Sequence, residues 1–167
     1  MSLTTELTMR IVAQQVGSND LGTVTFDLNK NDKTNMATGT ASGKADQIFA
    51  DTRTLSASAT EDLDLAASLV DALGTTLTFV KVKAIYIKAA SGNTNNVEIT
   101  PAAANGFTGP FNAAADQVDI APGGMFLVTA PAAGWTVTAG TGDLITVTNS
   151  AGSTAVTYDV VIVGTSA

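Results

Sequence analysis

The chain has 167 residues, a length that most simply makes one domain and can bury a proper core without crosslinks. It contains neither cysteine nor histidine, which excludes disulfides, zinc–thiolate sites and thiol nucleophiles and removes the commonest general base. Charged residues make up 14% of the chain, with a net charge of −7. An ordinary globular domain carries about 25%, so either much of the surface faces other protein chains, the preferred reading, or this is a Thr-rich β-protein kept soluble by its net charge.

In chain order, residues 3–13 place Leu7, Met9, Ile11 and Ala13 on one face of a strand, although Leu3, Leu7 and Ile11 would also align on a helix. "GTVTFDLN" is a plainer strand, with Val24, Phe26 and Leu28 alternating with Thr and Asp. Residues 29–46, "NKNDKTNMATGTASGKAD", are polar and rich in Asn, Gly and Ser, and predict a long loop or mobile arm. Lys30, Lys33 and Lys44 would keep it solvated or meet an acidic partner. Residues 1–45 are therefore expected as N-terminal strands with a polar arm, and residues 46–167 as a β-sandwich domain.

Beyond residue 46 the alternation firms. Strands are expected around Ile48–Leu55, in "SATEDLDLA" with Leu63 and Leu65 facing inward, and along "TLTFVKVKAIYIKAA". Lys81 and Lys83 among the apolar residues of that last run imply that one face changes from exposed to buried along the strand. Between them "AASLVDALG" predicts one or two helical turns stopped by Gly74. "VEIT", "DQVDIAPGG", "MFLVTA", Trp135–Thr138, Leu144–Thr148 and Val156–Val163 complete the set. About ten short strands with regular turn signals predict an all-β sandwich or jelly roll.

Candidate chemistry is sparse. "AGTGD" at residues 139–143 has the glycines of a phosphate loop, but "LITVTN" follows where an anion site needs a helix N-terminus. Gly140 and Gly142 fit a tight turn instead. Asp62 and Asp64, beside Glu61, offer hard oxygens to a cation, yet no calcium-loop spacing accompanies them, so a solvated face is the expectation; Asp116 and Asp119 decorate a loop. No catalytic, cofactor or metal residue stands out, and the chain reads as a non-enzyme. Phe107 and Phe111, among turn residues, either plug the end of the sandwich or anchor a partner chain. With Leu7, Met9, Ile11, Lys30 and Lys33 they are the candidate partner-interface residues.

All eight Lys and Arg lie in the first 88 residues, which disfavours direct binding of nucleic acid. No stretch reaches the roughly 18 apolar residues of a membrane span, and Glu6 and Arg10 interrupt any signal-peptide core, so synthesis in a cytoplasm is expected.

"ADQIFADTRTLSASATEDLDLA", "VKVKAIYIKAASGNTNNVEI" and "GWTVTAGTGDLITVTNSAGSTAVTYDVVIVG" resemble stretches of small virion proteins of tailed bacteriophages, over about residues 40–164. The resemblance implies a virion component made in the host cytoplasm: a cement or decoration protein on the capsid, bridging major capsid subunits. By analogy with such proteins it implies a homotrimer on a local threefold of the shell. It identifies no functional residues. A tail, baseplate or fibre component is the alternative within the virion, and a carbohydrate-binding host-attachment module, stacking on Trp135, Phe107 or Phe111, the alternative outside that class.

Overall fold

The computed structural model describes residues 2–167, and among them there is no helix. Residues 47–165 fold as one long antiparallel ribbon. Its first half consists of β4 (Gln47–Leu55), β5 (Thr60–Asp64), β6 (Lys81–Ala89) and β7 (Val97–Pro101). Its second half consists of β8 (Val118–Ile120), β9 (Met125–Thr129), the short β10 (Trp135–Thr136), β11 (Leu144–Asn149) and β12 (Val156–Thr165). The halves pair in reverse order: β4 with β12, β5 with β11, β6 with β9, β7 with β8. Rolling this ribbon brings β12 against β6 and β11 against β7, giving one sheet ordered β9-β6-β12-β4 and a second ordered β5-β11-β7-β8. That is the pairing pattern of a jelly roll, the expected fold class.

Period-two alternation sends one side of each strand into a single core. Phe49, Ile85, Ile87, Val160 and Ile162 of the first sheet pack against Leu63, Val97, Ile99, Ile145 and Val147 of the second. The change of face expected along "VKVKAIYIK" is present and has a local cause. Val163 pairs with Ala84 but Gly164 pairs with Val82, so Lys83 is an extra, bulged residue. Val82 and Ile85 thereby both point into the core, while Lys83 turns its chain along the 130–134 loop and its Nζ donates to the Ala132 carbonyl at 2.6 Å. Burial, with Lys81 nearby, holds the Lys83 ammonium below its ordinary pKa. Gly164 faces the bulge because a Cβ there would fall 2.2 Å from the Lys81 carbonyl and 2.6 Å from the Phe79 ring.

Two expectations need correction. Residues 66–74 form no helical turn: the Asp64 carboxylate accepts the Ala66 and Ala67 amides, and that of Asp71 accepts those of Leu73 and Thr75. Aspartates that take up backbone N–H groups locally favour turns over helix, and the segment closes as a loop through the Val70–Thr76 bridge. Residues 29–38 are not a loop but the second half of β2 (Gly22–Thr38), paired along its whole length with β1 (Thr5–Asn19). Ladder hydrogen bonds need no apolar side chains, so a polar, disorder-like composition did not prevent the strand. A two-residue β3 (Lys44–Ala45) runs parallel to the end of β2.

Buried polar groups are held by side chains in place of ion pairs. At one end of the sandwich the Asn149 amide donates to the Ser56 and Thr154 carbonyls at 3.0 and 2.8 Å, and its oxygen accepts from Asn95 at 2.9 Å. In the first sheet Tyr158 is fully buried, and its hydroxyl donates to Glu61 at 2.6 Å. Glu61 in turn accepts from Arg53 at 2.5 Å, and the Arg53 guanidinium lies 5.5 Å over the Phe49 ring. Burial first, and the Glu61 carboxylate second, push the Tyr158 phenol far above its ordinary range. Burial opposes the Arg53 charge, but the hydrogen bond and charge of Glu61 outweigh it and raise its pKa.

Asn149→Ala removes the three buried hydrogen bonds the side chain makes with the Ser56 and Thr154 carbonyls and the Asn95 amide, although each of these keeps another partner, and should cost about 1–3 kcal/mol in urea unfolding. Tyr158 stays protonated in the fold while the unfolded phenol ionises near pH 10. Its stabilising contribution is therefore complete below about pH 10 and declines as pH rises above it. Alkaline unfolding curves should show that decline in the native protein and lose most of it in Tyr158→Phe.

Candidate functional site

The feature that departs from a closed sandwich is the β1–β2 hairpin. Residue i of β1 faces residue 41−i of β2, from Thr5 opposite Met36 to Asn19 opposite Gly22. Asp20 and Leu21 make the two-residue turn, and the Asn19 side chain accepts the Leu21 amide at 3.0 Å. At about 3.4 Å per residue the arm is about 50 Å long.

The arm is amphipathic because pairing preserves the alternation of both strands. Leu7, Met9, Ile11, Ala13, Val24, Phe26, Leu28 and Met36 all fall on one face. The opposite face carries Glu6, Thr8, Arg10, Gln14, Asp27 and Lys33, with the exposed Val12 and Val16 set among them, and is tied by a Lys33–Glu6 ion pair at 2.5 Å and a Gln14–Asp27 hydrogen bond at 2.8 Å. The Lys33 hydrogen bond holds the Glu6 carboxyl below its usual range.

Only the root of the apolar face is covered. Met36, 1% exposed, packs with Ala45 and with Ala84 and Val163 on the outer side of the first sheet, joined by Leu3, Leu7 and Val161. The Thr38 hydroxyl accepts the Leu3 amide at 2.8 Å and donates to its carbonyl at 2.5 Å. Beyond Leu7 nothing backs the arm: Ile11 is 51% exposed, Phe26 61% and Leu21 at the tip 98%. A monomer rarely exposes so continuous an apolar surface without an interaction to make.

Where the arm leaves the body, its root and the outer sheet enclose an open groove of about 720 Å³, floored by Tyr86, Leu127, Met125 and Val161 and walled by Leu7 and Met9. The floor continues across the sheet into a shallow depression at Ala50, Asp51 and Asp159.

Of the residues expected at an interface, Leu7, Met9 and Ile11 share the apolar face of the arm. Lys30 lies on that face opposite Ile11, ion-paired with Asp32 at 3.0 Å, and Lys33 lies on the polar face. Phe107 and Phe111 stand elsewhere: of the two roles expected, they take that of a plug at the end of the sandwich, and as a partner anchor the buried Phe107 is corrected. Phe107 is 1% exposed inside the core and Phe111 packs half-buried against it, because the 102–109 loop folds over the sandwich end through hydrogen bonds to Leu144. Trp135 is likewise half-buried against the core. Val24, Phe26 and Leu28, and the floor residues Tyr86, Leu127 and Met125, were not singled out from sequence. The signal for the first three lay in their alternation, once their strand is paired with the one before it.

The loop at 139–143 is a turn. Gly140 has φ 74°, the Gly142 amide donates to the Thr138 carbonyl at 2.8 Å, and the Asp143 carboxylate accepts the Gly140 amide at 2.6 Å. The Asp62 carboxylate accepts the Thr146 hydroxyl at 2.5 Å, and that of Asp116 accepts the Asn112 and Ala113 amides at 2.9 Å each. Among the described residues no three metal-ligating side chains converge. No protein-family model matches the chain, and no curated protein matches it.

Met36→Ala removes the side chain that pins the arm and should cost about 2–4 kcal/mol, with amide exchange along β1 and β2 rising more than in β12. Phe26→Ser, on the uncovered part of the same face, should leave the unfolding free energy of the free subunit within about 0.5 kcal/mol.

Proposed function

We propose that this chain is a structural subunit of a bacteriophage virion, a cement or decoration protein that assembles as a homotrimer and bridges major capsid subunits. The observation that carries the reading is the ordered, one-face-apolar arm, which makes sense on a molecule that completes its packing only against neighbours. The rest is consistent in kind. A rigid jelly roll built without cysteine, histidine or a convergent polar pocket is suited to bearing load rather than to turnover, and jelly rolls recur in viral shells, an analogy at the level of fold alone. The sequence resemblance to small virion proteins points the same way.

Mechanistically, a subunit that binds only the assembled lattice stabilises that lattice by linkage. Each bridged contact adds its binding free energy to the shell's resistance to opening. The acidic body suits lattice positions offering Lys and Arg, since the net charge of −7 falls entirely on residues 46–167.

Particles lacking the protein should release their genome at lower temperature and under milder osmotic shock than complete particles, and should recover when purified protein is added back. Unchanged heat and osmotic resistance would overturn the cement role, and antibody label confined to the tail would move the protein there.

A further inference from the structure

We propose that the apolar face of each hairpin arm seats in the groove of a second copy of this chain, on the floor formed by Tyr86, Leu127 and Val161. The inference rests on reading the chain as an assembly subunit, and adds which surfaces meet.

Geometry excludes the chain's own body as the cover. The longest strands of the outer sheet, β6, β4 and β12, have 9, 9 and 10 residues, so they span about 30–35 Å, against about 50 Å for the arm. The arm is fixed in direction at its root by Met36 and the Thr38–Leu3 hydrogen bonds, and in that direction the chain's own sheet leaves Ile11 51% and Phe26 61% exposed. Whatever covers Ile11, Val24, Phe26 and Leu28 comes from another molecule.

A second copy offers the matching surface. The groove floor is an apolar strip of the same character as the arm; the chain's own arm root packs on Val161, and Tyr86 and Leu127 are left half-exposed. Charge agrees as well. The arm's apolar face carries one ion pair, Lys30 with Asp32, and the outer sheet carries Asp159 paired in register with Lys88, with Asp51 beside them. Lys30 can meet Asp159 or Asp51 while Asp32 meets Lys88. The arm, Thr5–Thr38, holds four acids and three bases, so it brings little net charge to the acidic body.

The outer sheet, about 30–35 Å long, sets the length of the contact and two strands, about 10 Å, its width, so roughly 300–350 Å² is covered on each partner. A single seated arm is therefore a weak contact, and a closed ring, in which every subunit gives one arm and receives another, doubles what each copy buries. Arm and floor are different surfaces, so the contact is heterologous, and three such contacts around an axis close a ring.

The test uses Phe26→Asp, which spoils the arm, and Leu127→Asp, which spoils the floor, each examined by light scattering and sedimentation. The native protein should be oligomeric and each variant monomeric. An equimolar mixture at high concentration should form a 1:1 heterodimer, because the intact arm of Leu127→Asp finds the intact floor of Phe26→Asp. A monomeric native protein overturns the proposal, as does a mixture that stays monomeric. So does a Leu127→Asp variant that remains oligomeric while Phe26→Asp dissociates, since arms would then meet arms. Should Leu127→Asp fail to fold, a benzophenone amino acid at position 26 decides. Its crosslinks should map to residues 81–89, 125–129 or 156–165 of a differently isotope-labelled copy, and crosslinks elsewhere, or none, overturn the proposal. All readouts use the purified protein, so arm seating and virion heat resistance can fail separately.

Discussion

Strand β12 is covered on both sides from Val161 onward, and the rest of the molecule is arranged around it. Tyr158, Val160 and Ile162 face the core, where they meet residues of the second sheet. Val161 and Val163, on the other side, meet Leu7 and Met36 at the arm root, and Val161 also contributes to the groove floor. A strand with one wet face would read as alternation. "VTYDVVIVG" instead becomes continuously apolar at Val160–Val163, where the arm root covers it. One strand thus couples the stability of the body to the position of the arm. The bulge at Lys83 follows from the same constraint, because it lets β6 match β12 while switching which residues face the arm.

Much of the body was legible because period-two alternation and turn residues are local signals. Leu63 and Leu65 against Asp62 and Asp64, or Ile145 and Val147 against threonines, fix strand and face with no knowledge of partners. The change of face along "VKVKAIYIK" was legible for the same reason, although its cause, an unpaired residue, was not. What could not be read was the pairing of distant segments. Residues 29–38 look like a solvated loop because their contribution is backbone hydrogen bonding to β1, which leaves no mark on side-chain hydropathy. The arm's apolar face is split between two segments, Leu7–Ala13 and Val24–Leu28, and becomes one surface only through a register set by the Asp20–Leu21 turn. Phe107 stayed open between plug and anchor, because among Gly, Pro and Asn nothing local shows that its loop is tied down by backbone bonds to Leu144.

The scarcity of ionic groups also has a structural consequence. Much of the buried polar demand is met by neutral groups, as in the Asn95–Asn149 pair and at Tyr158, and the buried charges of Lys83 and Asp143 are held by a backbone carbonyl and a backbone amide in place of opposite charges. Bonds to neutral partners are little screened by salt.

Long exposed hairpins carry a hazard, since their free edges are templates for indiscriminate strand pairing. Here the outer edge of β1 is unpaired, and β2 is paired on its outer side only at Ala37 and Thr38, beside β3. The face with Glu6, Arg10, Lys33 and Asp27 separates its two exposed valines, Val12 and Val16, with charged and polar groups, which opposes stacking of arms through that side. The root is fixed in direction by Met36 and the Thr38–Leu3 hydrogen bonds. In the arm-to-groove contact proposed above, a set angle is what would distinguish a closed ring from an open fibre, because that contact is heterologous. On that proposal the stiffness of the root, more than the stickiness of the tip, would decide which of the two forms.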